Sequence, residues 1–314
     1  IRQLQDMTGV DPLTLPLNDD KVKGLFLGIS TLDIQEENYK YRHGSFGIPE
    51  FGTKFVRQML DDTRPSRFGD LVRISGFSHG TDVWLNNAQE YIRSGVATMK
   101  DAISTRDDIM NYLIHKGLPN SNAFKIMENV RKGKGLSEKD MELMRENDVP
   151  EWYIDSCNKI KYMFPRAHAV AYVMMSYRIA YYKVYYPREF YATTFTTKVN
   201  DFDAETILKG PKAILDKIES IENKGKNATK KEEDSVTVLE LAYEMLCRGY
   251  DFKEASLEHS DPVKFKVLDD KVLLPLMALT GVGETAARLI AEEHRKQPFH
   301  SVEEIQKRAR ANKT

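Results

Sequence analysis

The feature that most constrains this chain is a helical repeat of apolar residues between about residue 81 and residue 200. Apolar positions recur there at intervals of three and four, and only short polar breaks separate them. The run contains no series of strand-like alternations. The sequence therefore predicts a mainly α fold in which helices pack on helices.

Composition and charge exclude several classes of protein. The 46 Lys and Arg residues balance 47 Asp and Glu residues, which excludes binding of nucleic acid or acidic membranes by bulk positive charge. The two cysteines exclude a disulfide framework and fit a reducing cytosol, and with seven scattered histidines they form no zinc pattern. No apolar run approaches the roughly 20 residues that cross a bilayer, so we expect a cytoplasmic protein that does not bind membranes. The first residue, Ile1, is not an initiator methionine, and the residues after it do not form a signal peptide. We therefore expect a piece of a longer protein.

The first eighty residues predict short elements. Two short helices separated by a break at Gly9 and Pro12 are expected within residues 1–24, and residues 44–52, rich in Gly and Pro, predict a loop. A helix is expected from Phe55 to the break at Arg64 and Pro65, and another at Leu71. The glycines and polar residues of Ser75–Thr81 predict a loop after it.

The last third of the chain predicts a linker followed by mixed structure. Residues 223–234 are charged and nearly free of apolar residues, so we expect a solvated turn or a mobile linker. A helix from Val236 to Leu246 should follow and end at Gly249, and the segments 263–267 and 272–274 predict short strands.

A basic run lies at the end of a predicted helix in the middle of the chain. Ala123, Met127 and Val130 indicate the buried face of that helix, and Arg131–Gly135 carries three cations and two glycines. Ser137 then resembles the start of a capping box that opens another helix. Three cations beside a helix N-terminus suit phosphate. Cations that merely offset the dipole at a helix C-terminus explain the run equally well.

An aromatic segment follows at Glu151–Tyr191, which holds 12 of the 31 aromatic residues. Pro165 indicates a helix start, and His168 and Tyr172, four residues apart, should share one face of that helix. Basic residues interleaved with aromatic ones are typical of sites that stack on bases and contact phosphates. The alternative is a tyrosine-rich packing seam, which we expect for at least part of the segment.

Two further patterns involve chemistry. Leu279–Gly283 has the spacing of a helix-hairpin-helix motif, whose backbone N–H groups contact DNA phosphates without reading sequence, although an accidental helix-turn-helix gives the same pattern. Asp201 and Asp203 have the spacing of a metal-binding pair on a strand. Their neighbours instead favour a helix start with acidic residues near its cap, so we expect no metal site and no catalytic residue here.

These motifs, in this order, resemble the PolC type of bacterial DNA polymerase III, the C-family replicative polymerase of low-GC Gram-positive bacteria. The resemblance covers almost the whole chain. It rests on Gly47–Gly52, Phe55–Leu60, Ile74–Trp84, Arg131–Gly135 and Ile160–Ala169.

The resemblance implies a domain order and a set of partners. Residues 1–52 would be the end of the palm, 53–200 a multi-helix fingers domain, 201–270 a connecting region with minor short strands, and 271–314 a helix-hairpin-helix unit that binds the product duplex. Primer-template DNA and dNTPs would be the partners. The sliding clamp would bind the complete enzyme through a C-terminal motif that does not occur here.

The resemblance also implies where the chemistry lies. Two Mg ions would be held in the complete enzyme by palm carboxylates that have no match in this chain. We therefore expect no bound metal and no polymerase activity from this chain alone.

The resemblance assigns roles to individual residues as well. The triphosphate of the incoming nucleotide would contact Arg131, Lys132 and Lys134. The new base pair would lie against Phe164, Arg166, His168 and Tyr172, with Ser78 and His79 on the other side of the pocket. The duplex backbone would contact Gly281, Gly283 and Arg288. The alternatives are a non-catalytic helix-hairpin-helix module that binds DNA and a helical scaffold that binds proteins.

Overall fold

The computed structural model describes residues 1–310, which are mainly helical with one small sheet, so the predicted fold class is confirmed. The helices are α1 (Arg2–Thr8), α2 (Asp20–Gly24), α3 (Lys54–Thr63), α4 (Phe68–His79), α5 (Gln89–Arg93), α6 (Arg106–His115), α7 (Asn120–Arg131), α8 (Glu138–Glu146), α9 (Glu151–Lys159), α10 (Arg166–Tyr185), α11 (Pro187–Thr197), α12 (Ala204–Ile207), α13 (Pro211–Lys224), α14 (Lys230–Cys247), α15 (Glu284–Lys296) and α16 (Val302–Arg308). The strands are β1 (Phe252–Lys253), β2 (Lys266–Leu268) and β3 (Lys271–Leu273). No helix within residues 1–310 is long and apolar enough to cross a membrane.

One compact unit comprises Pro16–Leu27 and Ile48–Arg178. Its helices are short and amphipathic, and α6 packs along α7. As predicted, Ala123, Met127 and Val130 form the buried face of α7. The unit contains no sheet of paired strands among its described residues, as the helical repeat led us to expect.

The loop predicted at Ser75–Thr81 is wrong, because α4 continues to His79. The glycine that suggested a loop, Gly76, lies inside the helix and packs against another segment. A Cβ atom added at Gly76 would lie 2.6 Å from the backbone oxygen of Ser104. Glycine is therefore required here by close packing rather than by a turn. Ser78 and His79 accordingly lie on the last helical turn.

The other compact unit comprises Ile1–Leu15, Gly28–Gly47 and the chain from Ile179 onward. Its core is aromatic: the rings of Phe202 and Phe265 lie 4.8 Å apart, and the ring of Phe195 lies 5.7 Å from that of Phe265. The sheet of this unit has the order β1-β3-β2, with β1 parallel to β3 and β2 antiparallel to it. The second predicted strand matches β3, whereas β2 begins later than the predicted segment 263–267.

The solvated turn predicted within 223–234 is confirmed between α13 and α14, whereas a linker over the whole range is wrong, because both ends of the range lie in helices. Helix α13 ends at Lys224, a single 3-10 turn follows, and α14 begins at Lys230. Thr229 and Glu232 form a capping box at the start of α14. Charged side chains are used here for capping and for an exposed ion pair, in which Lys224 Nζ lies 2.5 Å from a Glu232 oxygen.

A fully buried ion pair lies in the same unit. Lys183 Nζ lies 2.7 Å from a Glu244 carboxylate oxygen, and it donates to the backbone oxygens of Gly44 and Phe46 at 2.7 Å each. The Tyr191 hydroxyl donates to the same carboxylate oxygen at 2.6 Å. Burial lowers the pKa of Lys183, and the Glu244 charge opposes that shift. Each polar atom of the pair is thus supplied with a partner, as burial of charge requires.

The C-terminal helices form a small separate core. Leu276, Ala287, Ile290 and Ala309 are its buried residues. The last four residues of the predicted unit 271–314 lie outside the described residues. The domain ranges named in the sequence analysis stay predictions.

Candidate functional site

The site is built around residues 161–165, an extended segment that we call the strap. Thr81 pairs with it at one end, since the Thr81 N–H donates to the Tyr162 oxygen at 2.9 Å and its oxygen accepts from the Lys161 N–H at 3.1 Å. Three further backbone N–H groups fix the rest of the strap. The Met163 N–H donates to the Arg131 oxygen at 3.3 Å, and the Arg106 N–H donates to the Phe164 oxygen at 3.2 Å. The Arg166 N–H, directly after the strap, donates to an Asp107 carboxylate oxygen at 2.6 Å. The ends of α4 and α7 and the start of α6 thus hold one segment.

The basic run turns back beside the strap at Gly133, whose φ is +70°. A Cβ atom at Gly133 would lie 2.5 Å from the Lys161 backbone oxygen. Both the left-handed backbone and the close approach require glycine. Gly133 thus lets the chain turn back after α7.

Four rings form a continuous cluster beginning at the strap. The Phe164 ring stacks on His168 at 4.9 Å, and the His168 ring lies 4.5 Å from that of Tyr172, so the predicted shared face of α10 is confirmed. Tyr162 meets Phe164 edge to face at 5.1 Å. Tyr162 is 44% exposed, Tyr172 is 39% exposed, and Phe164 is only partly buried. Solvent therefore reaches ring surface on which another flat ring could stack.

His79 joins this ring cluster, with its ring 5.6 Å from that of Phe164 and 5.9 Å from that of His168. Its Nδ1 lies 2.7 Å from the Ser75 backbone oxygen, and its Nε2 lies 2.7 Å from a Glu50 carboxylate oxygen. Each of these partners offers an acceptor, an arrangement that favours the doubly protonated imidazole, in which both ring nitrogens donate. The hydrogen bond to Glu50 raises the pKa of His79.

Sequence analysis missed Glu50, which lies in the loop 44–52 that it predicted. Glu50 adopts the left-handed backbone conformation with φ at +70°, which is uncommon for a residue with a side chain. This local strain and the pairing with His79 occur together. The only signal in the sequence is the position of Glu50 inside the motif Gly47–Gly52.

The basic run carries its own counter-ion, Glu128, which sequence analysis also missed. Arg131 contacts both Glu128 oxygens, at 2.5 and 2.9 Å, and Lys132 Nζ lies 2.9 Å from the same carboxylate. These hydrogen bonds lower the pKa of Glu128 to about 2. Lys134 is exposed and forms no ion pair within residues 1–310. Spacings of three and four residues on α7 are the signal that could have revealed Glu128.

The N-terminus of α8, expected to supply free N–H groups to phosphate, is largely occupied. The Ser137 N–H donates to Asp140 at 3.2 Å and the Asp140 N–H donates to the Ser137 hydroxyl at 3.2 Å. Glu138 adds a second acidic residue to the first turn. The predicted capping box is thus confirmed, and its negative side chains already interact with this helix dipole.

Two other predicted residues lie at the edge of the ring cluster. The Ser78 hydroxyl donates to the Ser75 oxygen at 3.0 Å and lies 3.4 Å from His79 Nδ1. Arg166 is half exposed, and one guanidinium nitrogen lies 3.9 Å from an Asp108 oxygen. The structure therefore brings Ser78, His79, Phe164, His168 and Tyr172 into one neighbourhood, with Arg166 following the strap.

The glycine hairpin is a separate site in the other unit. Gly281 has φ at +81°, and Gly283 caps α15 in an extended conformation. A short 3-10 turn, Leu276–Ala278, takes the place of the expected preceding helix. Within residues 1–310, the N–H groups of Thr280, Gly281 and Gly283 have no acceptor. Arg288 forms an exposed pair with Glu284 at 2.7 Å.

The described residues hold no cluster of three or more His, Cys, Asp or Glu side chains that fits a metal ion. Of the suspected pair, Asp203 caps α12 by accepting from the Thr206 N–H at 3.1 Å and its hydroxyl at 2.6 Å. Asp201 ends a 3-10 turn just before it. The interpretation of this pair as a helix start is confirmed.

Two family models match the chain. The model described as "Bacterial DNA polymerase III alpha subunit finger domain" matches residues 1–150, and the model described as "Helix-hairpin-helix motif" matches residues 249–314. The first match includes Glu50, His79 and Arg131. The second includes the glycine hairpin.

The chain is also similar to long curated proteins called "DNA polymerase III PolC-type". It is 56% identical to the one from Clostridium perfringens and 50% identical to the one from Bacillus subtilis, each over 100% of this chain and 22% of the relative. The Staphylococcus aureus relative is 49% identical over 98% of the chain and 22% of its own length. The chain thus spans about a fifth of the length of these relatives.

The His79–Glu50 pair predicts a pH dependence. Because folding raises the pKa of His79, the pair's stabilisation is fully present below the unfolded value near pH 6.5 and is lost as the pH rises through the raised folded pKa. We expect Glu50→Gln to lower the pKa of His79 in an NMR titration and to remove this loss from denaturation curves. An unchanged His79 pKa in the variant would contradict the pairing.

Proposed function

Because the chain belongs to the PolC-type DNA polymerase III family, we propose that it forms the nucleotide-facing and duplex-facing part of a replicative DNA-directed DNA polymerase. The observation that carries this proposal is the strap, which connects a solvent-exposed ring cluster to a basic run. A base needs a flat apolar surface and a triphosphate needs cations. Both lie within a few residues of the same fixed backbone.

The ring cluster would border the new base pair. Phe164, His168 and Tyr172 offer ring surface, and base-aromatic stacking tolerates every base because each has a π face. Charged His79 and the Ser78 hydroxyl would line the same pocket. Arg166, half exposed at the start of α10, would add a cation there.

The basic run would meet the triphosphate. Arg131 and Lys132 share one counter-ion, so with Lys134 the run keeps an excess of positive charge. We propose that Glu128 holds the Arg131 guanidinium in place and that phosphate oxygens replace some of its contacts. A guanidinium binds phosphate in the same two-pronged manner in which it binds a carboxylate.

The hairpin would hold the product duplex. The unpaired N–H groups of Thr280, Gly281 and Gly283 suit a phosphate oxygen, and such contacts carry no sequence information. Arg288 would add a cation one turn into α15. Cytoplasmic location with the replicating DNA, and binding of the sliding clamp by the complete enzyme, stay predictions of the resemblance.

We propose that the metal ions of phosphoryl transfer depend on carboxylates that residues 1–310 do not supply. We therefore expect the purified 314-residue chain to extend no primer, whatever the Mg²⁺ concentration. The measurement is primer extension against a mock purification, with the complete polymerase as the positive control. Extension by the chain would show that the assignment of roles is wrong.

We predict that Arg131→Ala in the complete polymerase weakens use of all four dNTPs alike, because phosphate carries no base identity. The loss of a charged hydrogen bond to phosphate should raise the KM for each roughly tenfold to a hundredfold. Arg145→Ala is the matched control, since Arg145 forms a similar two-pronged pair with Glu151 outside the site. A loss confined to one nucleotide would mean that Arg131 reads a base.

We predict that Phe164→Leu leaves the melting temperature almost unchanged, because the ring is only partly buried. It should weaken nucleotide binding by the complete polymerase by roughly five- to a hundredfold, since stacking on a base is worth about 1–3 kcal/mol. Phe124→Leu, which alters an exposed ring on α7, is the control for both measurements. A lower melting temperature with unchanged nucleotide affinity would assign Phe164 to packing alone.

A further inference from the structure

A pocket of about 510 Å³ opens in the same unit as the strap, between α6 and α9. Its lining includes Arg73, Lys100, Tyr112, His115 and Tyr153. None of these residues belongs to the ring cluster, the basic run or the hairpin. A volume in this range is typical of pockets that bind small molecules.

Tyr153, one of the residues that line the pocket, has a hydroxyl group without a partner among the described residues. Tyr153 is 1% exposed, and its ring stacks on that of Tyr112 at 4.2 Å. Its hydroxyl oxygen is buried and has no hydrogen-bond partner within residues 1–310. A buried polar group left unpaired is costly, so such a group points to a ligand or ordered water. Burial raises the pKa of Tyr153, so the hydroxyl keeps its proton and can donate.

The acids of the pocket are already used by the fold. Asp108 accepts from the N–H groups of Ser104 and Thr105, at 3.0 and 2.9 Å, where it caps α6. Asp101 accepts from the N–H and the hydroxyl of Thr98. Each carboxylate is thus held by the fold through its Oδ2 atom.

The cations of the pocket are less fully used. Arg73 donates one hydrogen bond, to the Ala102 backbone oxygen at 3.0 Å, and lies 3.5 Å from Asp108. Lys100 and His115 are exposed, and their side chains have no hydrogen bond or ion pair within the described part of the chain. Three cations, Arg73, Lys100 and Lys116, line the pocket with two carboxylates, Asp101 and Asp108, and this excess of positive charge favours an anionic ligand.

We propose that this pocket binds a small phosphate monoester, with the Tyr153 hydroxyl and Arg73 contacting the phosphate and Lys100 at the mouth. Phosphate offers several acceptor oxygens, which matches a set of unused donors on different elements. The volume exceeds that of a bare phosphate and leaves space for an organic group. The site is independent of the proposed nucleotide pocket.

Calorimetric titration of the full chain with glycerol 3-phosphate, at constant ionic strength in chloride, tests the proposal. We expect saturable binding, and Tyr153→Phe should weaken it roughly tenfold without lowering the melting temperature, because the lost hydroxyl has no protein partner. Lys100→Ala should also weaken it. Lys125→Ala, an exposed lysine on α7 outside the pocket, is the matched control and should not.

The other outcomes overturn the proposal. Absence of saturable binding would mean that the pocket holds only water. Binding that is lost in Lys134→Ala and kept in Tyr153→Phe and Lys100→Ala would place the phosphate on the basic run. Equal affinity for acetate would exclude a phosphate site. Inorganic phosphate serves as the comparison that measures what the organic group adds.

Discussion

The proposed nucleotide site depends on the main-chain hydrogen bonds that hold the strap. Residues 161–165 have no helix or sheet of their own, and their backbone groups are paired instead with segments at the end of α4, the end of α7 and the start of α6. Buried backbone groups must find such partners, so the surrounding helix ends fix the strap. Phe164 lies in the strap, and the first turn of α10 follows it directly. The position of the ring cluster is therefore set by backbone geometry rather than by packing of the rings.

Burial separates the cations of this chain into structural and available ones. Lys183 is fully buried with two backbone oxygens and the Glu244 carboxylate as partners, so no bond remains for a ligand. Arg131 is shared with Glu128 at the surface, and Lys134 is exposed. His79 lies between these two groups, because its ring nitrogens are paired with Ser75 and Glu50 while its ring lies beside that of Phe164 in the cluster. Residue type alone does not distinguish these roles.

Local chemistry in the sequence was a good guide wherever the partner lay within a few residues. The helical repeat, the buried face of α7, the capping box at Ser137 and the shared face of His168 and Tyr172 follow from spacings of three and four residues. The same reasoning failed at Ser75–Thr81 and at 223–234. In the first, Gly76 serves a contact with Ser104, and in the second, charged residues cap a helical hairpin. The sequence alone does not distinguish a glycine in a loop from one packed inside a helix, or a charged residue in a linker from one that caps a helix.

The sequence by itself determined the helical class and the residue types that suit phosphates and bases, since these depend on periodicity and local chemistry. Only the tertiary structure decided which of them meet. Three contacts join segments far apart in the chain: Glu50 pairs with His79, Gly133 packs on Lys161, and Tyr153 stacks on Tyr112. Such contacts are set by how helices pack, and neighbouring residues carry no record of them.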